Sequence, residues 1–76
     1  MINLRDEKYI KEFGINLRKI RLSKDLTQEE LANSSDVSLP QITRIERGIV
    51  NPTICTIKCI AKGLGIKTNE LFDFEK

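Results

Sequence analysis

The sequence predicts an all-α domain of about five short helices, and three observations predict it. Apolar residues recur three and four apart in successive windows. Those windows open on Ser, Thr or Asp and close on Gly or short polar residues. Beyond the first few residues, nothing alternates apolar with polar long enough to make a strand. The chain has 76 residues, which sets one domain, with residues 1–5 as an arm and 6–76 as the domain proper.

The arm carries Ile2 and Leu4 between polar residues, so it reads as extended or disordered, and Arg5 is its one residue suited to a minor groove. The first helix runs over about residues 6–24, with Ile10, Phe13, Leu17 and Ile20 as its buried stripe. Gly14 weakens that helix and suits a close packing contact. Arg18, Lys19, Arg21 and Lys24 crowd its end, where positive charge suits the helix dipole, although such a cluster is also an ordinary solvated face.

Thr27 and Glu30 form a capping box that opens the second helix, and Leu31 and Ala32 supply its apolar edge. The helix should fade at Ser34 and Ser35, whose hydroxyls compete for backbone hydrogen bonds, leaving Asp36 at a corner. Ser38 opens a third helix through a second box with Gln41, and Pro40 sits in its first turn, where a missing N–H costs little. Ile42 and Ile45 face inward, and Gly48 ends the helix in a left-handed conformation. Thr53 caps a fourth helix over about residues 54–63, with Ile54, Ile57, Ile60, Ala61 and Leu64 inward and Gly63 and Gly65 as its stop. Thr68 caps a last short helix through Leu71 and Phe72.

Bulk properties set limits on function. Charged residues are 32% of the chain and apolar residues 39%, with a net charge of +2. Any nucleic-acid footprint must therefore come from where Lys and Arg sit, not from their surplus. The chain has no histidine and only two cysteines, Cys55 and Cys59, which share a helix face with Cα atoms about 6 Å apart. That is too few ligands for zinc, so no metal and no cofactor is expected, and the cysteines read as reduced residues of a cytosolic protein, with redox sensing as the other reading. No general base accompanies the thiols and no glycine loop cradles a phosphate, so an enzyme is not expected. No apolar run reaches a membrane span and no secretory leader is read, which places the chain in the cytoplasm and off the membrane.

Two capped helices of about two turns, joined by about four residues, have the size of a helix-turn-helix. The residues L-T-Q-E-E-L-A, then V-S, then I-x-x-I-E-R-G and N-P-T, between about Phe13 and Phe72, resemble the XRE-type helix-turn-helix family, which includes the lambda-like repressor and Cro domains. One position departs from the family pattern: Asp36 stands where glycine is usual. Asp tolerates positive φ, so the resemblance implies a turn kept with mild strain.

The resemblance implies a lambda-repressor-like domain whose third helix lies in the major groove. Carried over position by position, the base-reading residues are Leu39, Pro40, Thr43 and Arg44, with Gln41 adjacent. Arg44 suits guanine O6 and N7, and Leu39, Pro40 and the Thr43 methyl suit thymine methyl groups. The plain structural alternative is that these five are simply the solvent-facing residues left when Ile42 and Ile45 turn inward. Thr27 and Gln28 are placed against backbone phosphates, with Arg47 and Asn51 on the other flank. Family members pair an arginine of the first helix with the glutamate of I-x-x-I-E-R-G, which implies a salt bridge between Arg21 and Glu46, with Arg21 also near a phosphate.

The implied function is a sequence-specific DNA-binding transcriptional regulator that acts on a palindromic operator of double-stranded DNA and controls its own gene. Family members of this length include phage repressors, restriction–modification controller proteins and small plasmid or chromosomal regulators. The alternative is an antitoxin that binds DNA but chiefly masks a toxin. One recognition helix spans too few base pairs to select a genomic site, so a homodimer is expected. Its interface is expected at the C-terminal end, from Ile66, Leu71, Phe72 and Phe74, with Cys55 and Cys59 outside its centre.

Overall fold

The computed structural model describes residues 5–75 as four α-helices and a closing 3₁₀ helix: α1 Glu7–Ser23, α2 Gln28–Ser35, α3 Leu39–Glu46, α4 Ile54–Leu64 and the 3₁₀ turn Thr68–Phe72. No strand occurs among the described residues, so the all-α class stands, with a 3₁₀ turn as the fifth helix. Of the expected arm only Arg5 is described; it pairs with Glu7 and donates to the Ile49 carbonyl, which ties the start of the chain to the segment after α3.

Each helix begins where a side chain satisfies an orphan N–H. The Asp6 carboxylate accepts from the Tyr9 N–H at 3.0 Å. The Thr27 hydroxyl accepts from the Glu30 N–H at 3.0 Å while the Glu30 carboxylate takes the Thr27 N–H at 2.9 Å, a complete capping box. Ser38 accepts from the Gln41 N–H at 3.3 Å, so the box expected there is formed on one side. Thr53 accepts from the Thr56 N–H at 3.1 Å. The last cap differs from expectation: Thr68 lies inside the 3₁₀ turn, and the Glu70 carboxylate binds the Lys67 N–H at 2.8 Å instead.

The helix ends are set by left-handed residues. Asp36 closes α2 at φ 57°, and Gly48 follows α3 at φ 71°. Asp25 also sits at φ 57°, in the short link between α1 and α2. Two glycines read from sequence as a joint stop have separate roles. Gly65, at φ 72°, caps α4, whereas Gly63 lies within the helix. A Cβ on Gly63 would lie 2.7–2.8 Å from Ser35 atoms, so its bareness lets α4 cross α2.

The core runs between these layers, with α1 packed on α3 and α2 on α4. Leu17, Leu31, Ile42, Ile45, Ile60 and Leu71 are wholly covered. Ile20 and Ile57 pack at its edge. Ile54 breaks the expected stripe: it is 84% exposed, because it is the first residue of α4. Tyr9, Phe13, Phe72 and Phe74 form one ring cluster with centroid separations from 5.0 to 6.5 Å, which holds the C-terminal turn to α1. Among the described residues no helix is long and apolar enough to cross a membrane.

Candidate nucleic-acid interface

Helices α2 and α3 meet at a corner made by Asp36 in the left-handed conformation and capped at Ser38. The corner lets α3 leave at an angle while Leu31 and Ala32 stay packed against the same core as Ile42 and Ile45. Helix α3 has eight residues, short for a helix to hold by its own hydrogen bonds, so its position comes from what it touches.

Two contacts with α1 fix it. The first is backbone on backbone: a Cβ on Gly14 would lie 2.3 Å from the Ile45 carbonyl oxygen and 2.8 Å from that of Glu46. The second is ionic. The Arg21 Nε donates to Glu46 Oε2 at 2.6 Å and its Nη2 to Oε1 at 3.0 Å, a two-pronged pair with side chains 8% and 3% exposed. The remaining Arg21 nitrogen, Nη1, donates to the Leu26 carbonyl at 2.7 Å, which braces the link into α2.

The network extends toward the outer face. The Gln28 amide nitrogen donates to Glu46 Oε1 at 3.0 Å, and its amide oxygen accepts from the Thr43 hydroxyl at 3.2 Å. Arg21, Glu46, Gln28 and Thr43 therefore form one continuous chain of polar contacts, running from α1 through α3 and α2 to the edge of the recognition face.

What remains outward on α3 is the row expected to read bases. Leu39, Pro40 and Arg44 are exposed, and Gln41 and Thr43 are half-buried. Arg47 and Asn51 are exposed beyond the helix end, as a phosphate flank requires. Thr27 is exposed, but its hydroxyl is engaged in the α2 cap.

Three of the expected site residues face inward. Arg21 is 6% exposed with its guanidinium engaged inside the protein, by Glu46 and the Leu26 carbonyl. Gln28 has both ends of its amide engaged, by Glu46 and Thr43, which makes it a brace between α2 and α3. Leu71 is 0% exposed, so it has no surface to offer a second copy. Phe72, Phe74 and Ile66 also pack against the core, whereas Ile49 and Ile54 leave large apolar surfaces in solvent near the α3–α4 connection. Cys55 and Cys59 are free and exposed.

Two short helices meeting at a left-handed corner, the second braced from behind with Leu39, Pro40 and Arg44 outward, have the arrangement of a helix-turn-helix. Residues 17–71 match the protein family described as Helix-turn-helix, and the chain belongs to it. The chain is 43% identical over 63 residues to the control protein C.BamHI of Bacillus amyloliquefaciens, covering 82% of this chain and 78% of that one. It is 41% identical over 66 residues to the control protein C.MunI of a Mycoplasma species, covering 84% and 89%. The crystal structure of the restriction–modification controller protein C.AhdI from Aeromonas hydrophila superposes with a TM-score of 0.80 at 37% identity, over 86% of this chain and 97% of that one. The chain is thus a DNA-binding regulator of the transcription-regulator class and not an enzyme.

Proposed function

We propose that this chain is a controller protein of a restriction–modification system, a cytoplasmic homodimer that binds a two-fold operator and regulates its own gene. One observation carries the reading. Leu39, Pro40 and Arg44 stand outward on α3, with Arg47 exposed just past its end, while Glu46 of the same helix is locked to Arg21. A guanidinium held on a braced helix is suited to the forked contact with guanine O6 and N7 in the major groove. The likeness to C.BamHI, C.MunI and C.AhdI supports the choice among small regulators.

Dimerisation supplies the second half-site, about 34 Å along the duplex. With Leu71 wholly covered and Phe72 and Phe74 in the ring cluster, the exposed Ile49 and Ile54 are the better centre for the contact between copies. The test is selection of bound sequences from a random DNA pool, followed by a search of the region upstream of this gene. Enrichment of an inverted repeat that recurs there is the expected result. No enrichment at low salt overturns the reading.

A further inference from the structure

We propose that Thr43 selects bases that present an amine in the major groove, adenine or cytosine, at one position of each half-site, and that Gln28 is a positioning residue that, with the Leu39 carbonyl, turns the Thr43 proton inward. The inference rests on the reading of α3 as the recognition helix.

The position of one proton, that of the Thr43 hydroxyl, decides this. Glu46 is a buried carboxylate, and two Arg21 nitrogens bind it. A carboxylate held by a guanidinium only accepts hydrogen bonds, so the end of the Gln28 amide that lies 3.0 Å from Glu46 Oε1 is the NH₂ end. The two ends of a glutamine amide are opposite in kind. Its oxygen therefore faces Thr43, 3.2 Å from the hydroxyl, and it can only accept. The other neighbour of that hydroxyl is the Leu39 carbonyl at 3.0 Å, again an acceptor. Thr43 has a single hydroxyl proton, and both internal partners require it. The proton points into the protein in either case, and the half-buried side chain offers lone pairs to whatever lies outside.

In the major groove, adenine N6 and cytosine N4 carry donor hydrogens, whereas guanine O6 and thymine O4 are acceptors. A hydroxyl whose proton is committed inward pairs with the first two. Opposite guanine or thymine, two acceptors meet unless the proton leaves Gln28 and Leu39. Thr43 thus acts through its oxygen and not only through its methyl group, and Gln28, a residue of α2, helps set its polarity.

The experiment compares base preferences of wild type, Thr43→Val, Thr43→Ser and Gln28→Met by selection from a random DNA pool. Affinities are then measured on operators in which the selected adenine is replaced by purine, which lacks the amine, or the selected cytosine by its 4-hydrogen analogue. Wild type and Thr43→Ser are expected to select adenine or cytosine at the position that Thr43→Val relaxes, and to lose about fivefold or more on removal of the amine. Thr43→Val should be indifferent to that removal, and Gln28→Met should weaken the preference there while the position relaxed by Arg44→Ala keeps its own. Matching melting curves for wild type and Thr43→Val separate this from misfolding. The inference is overturned if Thr43→Val relaxes a position where wild type selects guanine or thymine, or relaxes none while wild type still selects an operator. Absence of any selection by wild type overturns the regulator reading and this inference together.

Discussion

Arg21→Met is expected to cost about 3–5 kcal/mol, the usual loss when one member of a buried ion pair is removed. The structure gives the reason. The substitution removes two hydrogen bonds to Glu46 and one to the Leu26 carbonyl, and it leaves a carboxylate whose side chain is 3% exposed with the Gln28 amide as its remaining side-chain partner. A chain of 76 residues has roughly 4–11 kcal/mol of total stability, so this loss alone brings it near unfolding. The double variant Arg21→Met with Glu46→Leu removes both charges, and apolar replacement of a buried pair is often neutral or better. It should therefore recover most of the loss, giving a coupling energy above about 2 kcal/mol in a double-mutant cycle. Urea unfolding followed by circular dichroism at low and high salt measures it. A pair this deeply covered should be nearly insensitive to salt. If each single variant loses under about 1 kcal/mol, or the coupling disappears in salt, the pair behaves as a surface contact and the brace argued for α3 does not exist.

Gly14→Ala gains about 1 kcal/mol of helix propensity but places a methyl 2.3 Å from the Ile45 carbonyl oxygen, so a net loss of about 1–3 kcal/mol is expected in chemical denaturation. Asp36→Gly relieves a left-handed aspartate at φ 57° and should be neutral or stabilising by up to about 1 kcal/mol in thermal melts; clear destabilisation refutes the strain. Ile54→Lys should shift sedimentation from dimer to monomer while leaving the melting curve of the monomer intact, whereas Phe74→Lys should lower stability by opening the ring cluster; the reverse pattern returns the interface to the C-terminal turn. Arg44→Ala should lose about 1–3 kcal/mol at one or two base positions, while Arg47→Ala should weaken all sites alike and lower the salt slope by about 1, as read from a panel of operator variants.

The features legible in the sequence are the local ones. A cap at Thr27 or Thr53 involves partners three residues away, so spacing alone reveals it. The left-handed Asp36 followed from the family resemblance, which has glycine at that corner, together with the tolerance of Asp for positive φ. The misread features depend on distant parts of the chain. Gln28 opens a helix, and its position suits a phosphate; that it turns inward follows from Glu46 and Thr43, 18 and 15 residues away. Gly63 reads as a stop because glycine disfavours helix, yet it is bare because Ser35 crosses it. Ile54 continues the helical period of Ile57 and Ile60, but period tells which face a residue is on and not whether anything covers it.

These observations separate two kinds of control over the recognition helix. Leu39, Pro40 and Arg44 are exposed on α3, so exchanging them should alter the preferred operator with less effect on stability than a change in the core. The inward set, Gly14, Arg21 and Glu46, holds α3 against α1 and so fixes the angle at which the outward row is presented. Gln28 and Thr43 belong to both sets, because the contacts that hold them are continuous with the buried pair while the Thr43 oxygen stands at the edge of the groove face. A small regulator of this build can change what it reads by substituting surface residues alone, provided that the buried polar chain behind them stays intact. Loss of the Gln28–Thr43 contact alone should blur the preference at the Thr43 position and spare that set by Arg44, whereas loss of the Arg21–Glu46 pair, which holds the whole helix, should blur both.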